Sequence, residues 1–140
     1  MTENYKILSE YVKDMSSETP DIETYLFVKE NITKYHLAIN ITSKALKNKM
    51  IEVCTTIKYE DKEASEKRSY FEINYATIVK IDEEMVDKKK LEKIILCDVQ
   101  KDIYPRLEKV LLNLIHSCGF QDVQFSKKVD FEELYKGKFN

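Results

Sequence analysis

The sequence predicts an α+β domain in which antiparallel strands come first and helices, laid on the sheet, come after. Three observations carry this. Over most of the span from Tyr5 to Ile81 the apolar residues recur at every second position, the period of a half-buried strand. Between Ile103 and Gly119 they switch to helical spacing, with Leu107, Val110, Leu111, Leu114, Ile115 and Cys118 on one stripe. The connections between successive strands are short, which favours antiparallel pairing. At 140 residues the chain reads as a single domain, 1–140. It can bury roughly 68% of its unfolded surface, enough for a real core.

In chain order, Tyr5 to Glu18 reads as the first strand. Strict alternation puts Tyr11, Lys13, Met15 and Ser17 on one side and Asp14, Ser16 and Glu18 on the other. Thr19-Pro20-Asp21 stops it, and Ile22 to Val28 is expected as a short strand or an extended crossover. Lys34 to Ser43 alternates cleanly, with Tyr35, Leu37, Ile39 and Ile41 together. Lys44 to Lys49 is a basic turn, and Met50 to Tyr59 is the next strand. Glu60 to Lys67 is a charged loop, the usual composition of a solvated hairpin tip. Arg68 to Ile81 is a long strand with Phe71, Ile73, Tyr75, Val79 and Ile81 on one face. Asp82 to Cys97 is expected as a helix carrying Met85, Leu91, Ile94, Ile95 and Leu96. In the main helix Pro105 suits the first turn, where its missing N–H would be unpaired anyway, and Gly119 is a natural stop. Leu112 lies about 140° from Leu107 at 100° per residue, so this helix has a second apolar side to cover. Phe120 to Val129 is a connector. Asp130 caps a short final helix to Lys136, with Glu133 at capping-box spacing. Met1 to Asn4 are expected to be disordered.

Composition narrows the chemistry. The charged fraction is 34% but the net charge is only −2, which gives no support for nucleic-acid binding. The polar start MTENYKILSE does not resemble a signal peptide, and no apolar run approaches the ~20 residues of a membrane helix. The expected compartment is the cytoplasm. Cys54, Cys97 and Cys118 lack metal-ligand spacing and read as buried free thiols. His36 and His116 stand without a partnered nucleophile, so no catalytic residues, metal or cofactor are expected. The Lys88-Lys89-Lys90 run reads as a solvated helix face. What remains is surface: aromatics at Tyr25, Phe27, Phe120, Phe125, Phe131 and Tyr135, and the acids Asp14, Glu18 and Glu72. The aromatics either seal the edge of the core or line an apolar groove for another chain.

In register along nearly the whole chain, four segments resemble the SecB family of bacterial protein-export chaperones. Tyr11 to Pro20 (YVKDMSSETP) is similar to the family's opening Y-x-K-D-x-S-x-E-x-P. Tyr70-Phe71-Glu72-Ile73 stands at the leucine-x-glutamate-valine strand, and Ile103-Tyr104-Pro105 at the aromatic-proline entry to the long helix. Val129 to Tyr135 (VDFEELY) resembles the family's ending. The resemblance implies a four-stranded antiparallel sheet with helices on one face, assembled as a dimer of dimers with the long helices between two sheets, which would cover Leu112. It implies no enzyme activity and no nucleotide. It implies an ATP-independent holdase that binds unfolded precursor proteins and delivers them to SecA, the motor ATPase of the Sec translocase. Carried over by position, the motor-docking residues fall on Asp14, Glu18, Tyr70 and Glu72. The client groove falls on Tyr25, Leu26 and Phe27 opposite Phe131, Leu134 and Tyr135. The chain departs from the family pattern at Ala76-Thr77, where a glycine pair is usual, at Lys128 in place of a proline, and in lacking an acidic tail.

Two other functions stay open on sequence. One is a SecB-like chaperone dedicated to an antitoxin, which needs the groove but no motor docking. The other, of a different class, is a small-molecule binding module built on a sheet-and-helix pocket.

Overall fold

A computed structural model describes residues 5–61, 69–82, 87–125 and 129–139. Lys62 to Lys67 of the expected Glu60–Lys67 tip, Arg68 at the expected start of the next strand, the position of Met85, the replacement at Lys128 and the N-terminal Met1 to Asn4 lie outside the described residues. Four strands, β1 (Tyr5–Glu18), β2 (His36–Ala45), β3 (Met50–Glu60) and β4 (Tyr70–Ile81), form one antiparallel sheet in the order β1-β4-β3-β2. The α+β expectation holds. Val53, Ile57 and Tyr59 of β3 and Phe71, Ile73, Tyr75 and Val79 of β4 point to the core face, where the helices cover them. Among the described residues, no helix covers the opposite face.

The strand β1 is not a plain two-residue repeat. Its pairing with β4 slips between Ile7 and Ser9 and again between Val12 and Asp14. Each slip is a β-bulge, and one extra residue exchanges the faces of everything beyond it. Tyr11 therefore pairs with Ala76 on the open face, the same face as Asp14 and Ser16, while Met15 and Ser17 pair with Ile73 and Phe71 on the helix side. This corrects the grouping of Tyr11 and Lys13 with Met15: Lys13 is the bulged residue, and its ammonium reaches Glu52 at 3.4 Å across the open face.

The segment after β1 is a helix, α1 (Ile22–Asn31), not a strand or extended crossover. Its apolar run carries no decisive period, and capping settles the matter. The Asp21 carboxylate accepts from the Thr24 amide at 2.8 Å, and Thr24 and Val28, one turn apart, are both buried.

The helical half is longer than the apolar stripe suggested. α2 (Lys88–Lys93), a π-helical turn (Ile94–Asp98) and α3 (Val99–Ser117) run on without a break. Val99, Ile103, Leu107, Leu111 and Ile115 are each fully buried against the sheet. Pro105 is therefore inside α3 rather than in a first turn. It is tolerated because both Pro105 and Lys101, whose carbonyl loses its donor, lie on the exposed side where water can replace the bond. Helix α3 ends at Ser117, and Gly119 two residues on has φ of +102°, a left-handed backbone that suits glycine. Asp130 caps α4 (Phe131–Phe139) as expected, accepting from the Glu133 amide at 3.2 Å.

A part-buried network pins α3 along β1. Arg106 donates to both Glu10 oxygens at 2.9 and 2.7 Å, and the Tyr75 hydroxyl donates to Glu10 at 2.7 Å. Burial pushes the Glu10 carboxyl up, but the Arg106 and Tyr75 bonds outweigh it and hold the group below the usual carboxylate range. Burial and the same bond push the Tyr75 phenol up to about 12.

Candidate functional site

The sheet register brings the four expected docking residues onto the open face in adjacent rows. Glu18, Tyr70, Glu60 and His36 form one row across β1, β4, β3 and β2. Ser16, Glu72, Lys58 and Ala38 form the next, and Asp14, Asn74, Thr56 and Asn40 the third. Rows two residues apart along a strand are ~7 Å from one another, and neighbouring strands are ~4.8 Å apart. Asp14, Glu18, Glu60 and Glu72 thus share a patch with the ammonium of Lys58. That lysine sits 3.6 Å from Glu60 and 5.3 Å from the centre of the Tyr70 ring. Asp14 and Glu18 are exposed, and Tyr70 and Glu72 are half-buried. Sequence reasoning missed Glu60, which it assigned to a loop, and Lys58. The signal that finds both is the antiparallel register set by the β3–β4 pairing.

On the helix side a different surface opens at the edge strand β2. Leu37, Ile39 and Ile41 alternate along it, each half-buried, with their apolar side toward α4. Two adjoining open grooves of about 300 and 420 Å³ lie between that strand and α4. Leu134, 48% exposed, stands over both, and Tyr135 and Leu96 complete the first. Asp130 and Glu133 form the polar rim. α4 is held from behind. Phe131 is only 2% exposed, packs edge-on to Tyr104 at 5.3 Å, and shares its cluster with Cys97. Lys101 bonds Glu132 at 2.7 Å, which keeps that carboxyl low, while burial pushes the Cys97 thiol up. Of the three α4 residues expected in the groove, Leu134 and Tyr135 line it, and Phe131 supports it from inside.

The α1 residues are placed differently from one another. Tyr25 stacks on Phe120 at 5.1 Å and donates its hydroxyl to the Gly119 carbonyl at 2.9 Å. Phe27 packs partly buried against the main core. Leu26 is 53% exposed and, with exposed Ile22 one turn earlier, forms an apolar spot on the outer side of α1. Tyr25, Phe120 and Phe125 mostly seal the core, Phe120 edge-on to Phe71 and Phe125 edge-on to Tyr59. The histidines have ordinary roles: His116 shares a 2.9 Å bond with the Val123 carbonyl, and His36 is exposed beside Glu60.

Comparison with known proteins matches all of residues 1–140 to the SecB family, described as preprotein translocase subunit SecB. The chain belongs to the SecB family. A SecB protein-export homologue of Pelagibacter ubique is 54% identical over the full length of both chains. A protein-export protein SecB of Rhodopseudomonas palustris is 25% identical over 93% of this chain and 79% of the relative. Among solved structures, a SecB-like chaperone of Mycobacterium tuberculosis, in complex with a peptide from the HigA1 antitoxin, superposes with a TM-score of 0.64 at 9% identity. That match covers 89% of this chain and 91% of the other, and supports the fold. SecB members are chaperones for protein export, not enzymes. Among the described residues, no helix of this chain is long and apolar enough to cross a membrane.

Proposed function

We propose that this SecB protein is an ATP-independent holdase that keeps unfolded precursors extended in the β2–α4 groove and delivers them to SecA. The observation that carries this is the separation of the two surfaces. The groove with Leu134 lies on the helix side of the sheet, and Asp14, Glu18, Tyr70 and Glu72 lie on the open face. A client and a basic docking segment of the motor can then be held at once, without competition. Charge on the open face mainly speeds and orients the encounter. The groove offers apolar area with few polar groups to demand a particular partner, which suits many clients.

The assembly is a homotetramer, a dimer of dimers, working in the cytoplasm. Exposed Val12 and Met15 on the helix side of β1 and half-buried Leu112 on α3 support such an assembly, because they are apolar surface that one chain leaves uncovered. Nucleic acid and membrane insertion have no part in this reading.

The deciding experiment pairs two measurements on Asp14→Lys with Glu72→Lys. Binding to the basic tail of SecA is expected to fall at least tenfold, while retardation of a slow-folding reporter without ATP stays at the wild-type level. Equal loss of both with the fold intact would rule out separate surfaces. The solved relative with an antitoxin peptide motivates a second reading, a chaperone dedicated to one antitoxin. Wild-type affinity for the SecA tail after the charge reversals, with no retardation of the reporter by the unaltered protein, would favour it.

A further inference from the structure

The π-turn between α2 and α3 is joined to the sheet by a buried polar link. Inside it, the Val99 amide reaches back five residues to the Ile94 carbonyl. Gln100, only 1% exposed, donates its side-chain amide to the Ile95 carbonyl at 3.1 Å, standing in for a helical donor. Its amide oxygen accepts from the Thr55 hydroxyl of β3 at 2.8 Å. Thr55 is fully buried, so both ends of this link are shielded from water. Such a link costs desolvation that an apolar pair would not, and its position gives it a task. The π-turn carries Leu96, which lines the groove, and Cys97, which seats Phe131 under α4. Return of this turn to α-helical winding would absorb one residue, about 100° of rotation. Leu96 and Cys97 would then turn away from α4 relative to the α3 stripe.

We infer, on the basis of the groove proposed above as the client site, that Gln100 and Thr55 are positioning residues for client binding: their buried hydrogen bond holds the π-turn so that Leu96 faces the groove and Cys97 seats α4. Neither residue touches the client. Both act through the winding of one helical turn.

The test is the double variant Gln100→Met with Thr55→Val. Both changes keep volume and remove both ends of the Thr55–Gln100 bond together, so no buried polar side chain is left unpaired; the Ile95 carbonyl loses its Gln100 donor, and a small drop in melting temperature with the fold retained is expected. Affinity for an extended apolar client peptide, measured by fluorescence anisotropy well below the melting temperature of the variant, is expected to fall about tenfold, 1.4 kcal/mol. A purely structural link would leave affinity unchanged with the fold retained, and that result would overturn the inference. Should the double variant not fold, Thr55→Val alone carries the test, with at least a threefold loss expected and wild-type affinity overturning the inference. Leu134→Asp in the same assay separates the two levels. If it binds like wild type, the groove is not the client site. If it loses binding while the double variant does not, the groove stands and the positioning role fails.

Discussion

Replacing Gly119 by alanine probes how α1 is fastened to the end of α3. The backbone there has φ of +102°, which an L side chain adopts at a cost of about 1–2 kcal/mol. The added Cβ would also stand 2.7 Å from Tyr25 Cε1, 3.2 Å from its hydroxyl oxygen and 3.3 Å from Cζ. The ring must move, because 2.7 Å is far inside carbon–carbon contact. Moving it breaks the 2.9 Å hydrogen bond to the Gly119 carbonyl, worth about 1 kcal/mol. It also disturbs the stack on Phe120, worth ~0.5–1.5 kcal/mol. Together the loss is about 2.5–4.5 kcal/mol, or roughly 4 °C in Tm for each kcal/mol in a domain of this size. Equilibrium urea unfolding gives the value. In a Tyr25→Ala background the ring is absent and only the backbone strain of about 1–2 kcal/mol remains. The difference between backgrounds is the coupling. Equal costs in both would refute the ring contact, and a cost under ~1 kcal/mol in the wild type would refute the strain as well.

Other expectations follow from the same geometry. Glu10 has a lower pKa folded than unfolded, so its pairing with Arg106 contributes stability above its ordinary value of 4.5 and loses it as pH falls through the lowered one. Arg106→Met should therefore cost about 1 kcal/mol at pH 7, with the deficit shrinking in urea titrations below pH 4.5; a deficit independent of pH would contradict the pairing. Leu112→Glu, on the half-buried flank of α3, should split the proposed tetramer into dimers by light scattering while leaving the far-UV spectrum unchanged; an unaltered mass would remove Leu112 from the assembly surface. Leu134→Asp should weaken apolar-peptide binding at least tenfold with little change in Tm, because the residue is 48% exposed.

Much of the fold was legible because the signals are local. Strand alternation from Lys34 to Ile81, the stripe of α3 and the Asp130 cap depend on residues within one or two turns of each other, and the structure holds each of them. The run from Ile22 to Val28 misled because a short apolar stretch has no decisive period, and the Asp21 cap that identifies it as a helix competes with the turn reading of Pro20-Asp21. The extent of the long helix was underestimated because α2 is mostly lysine and its apolar residues change phase at the π-turn, where the period of 3.6 breaks.

Sequence by itself determined the class of the domain and the family, and the resemblance led to the expectation that Asp14, Glu18, Tyr70 and Glu72 form one surface; the pairing of β1 with β4 is what puts them on one face. Tertiary structure decided what completes that surface. The bulge between Val12 and Asp14 exists only in the pairing of β1 with β4, and it puts Tyr11 on the same face as Asp14. Glu60 joins Tyr70 only through the register of β3. Phe131 and Leu134 look equally suited to a groove as letters, yet one is buried beneath Tyr104 and the other stands open. The link from Thr55 to Gln100 spans 45 residues. Local patterns follow from the backbone period each residue shares with its near neighbours. Register, bulges and the choice of which aromatic turns inward are set by partners distant in the chain, and no window along the sequence contains both.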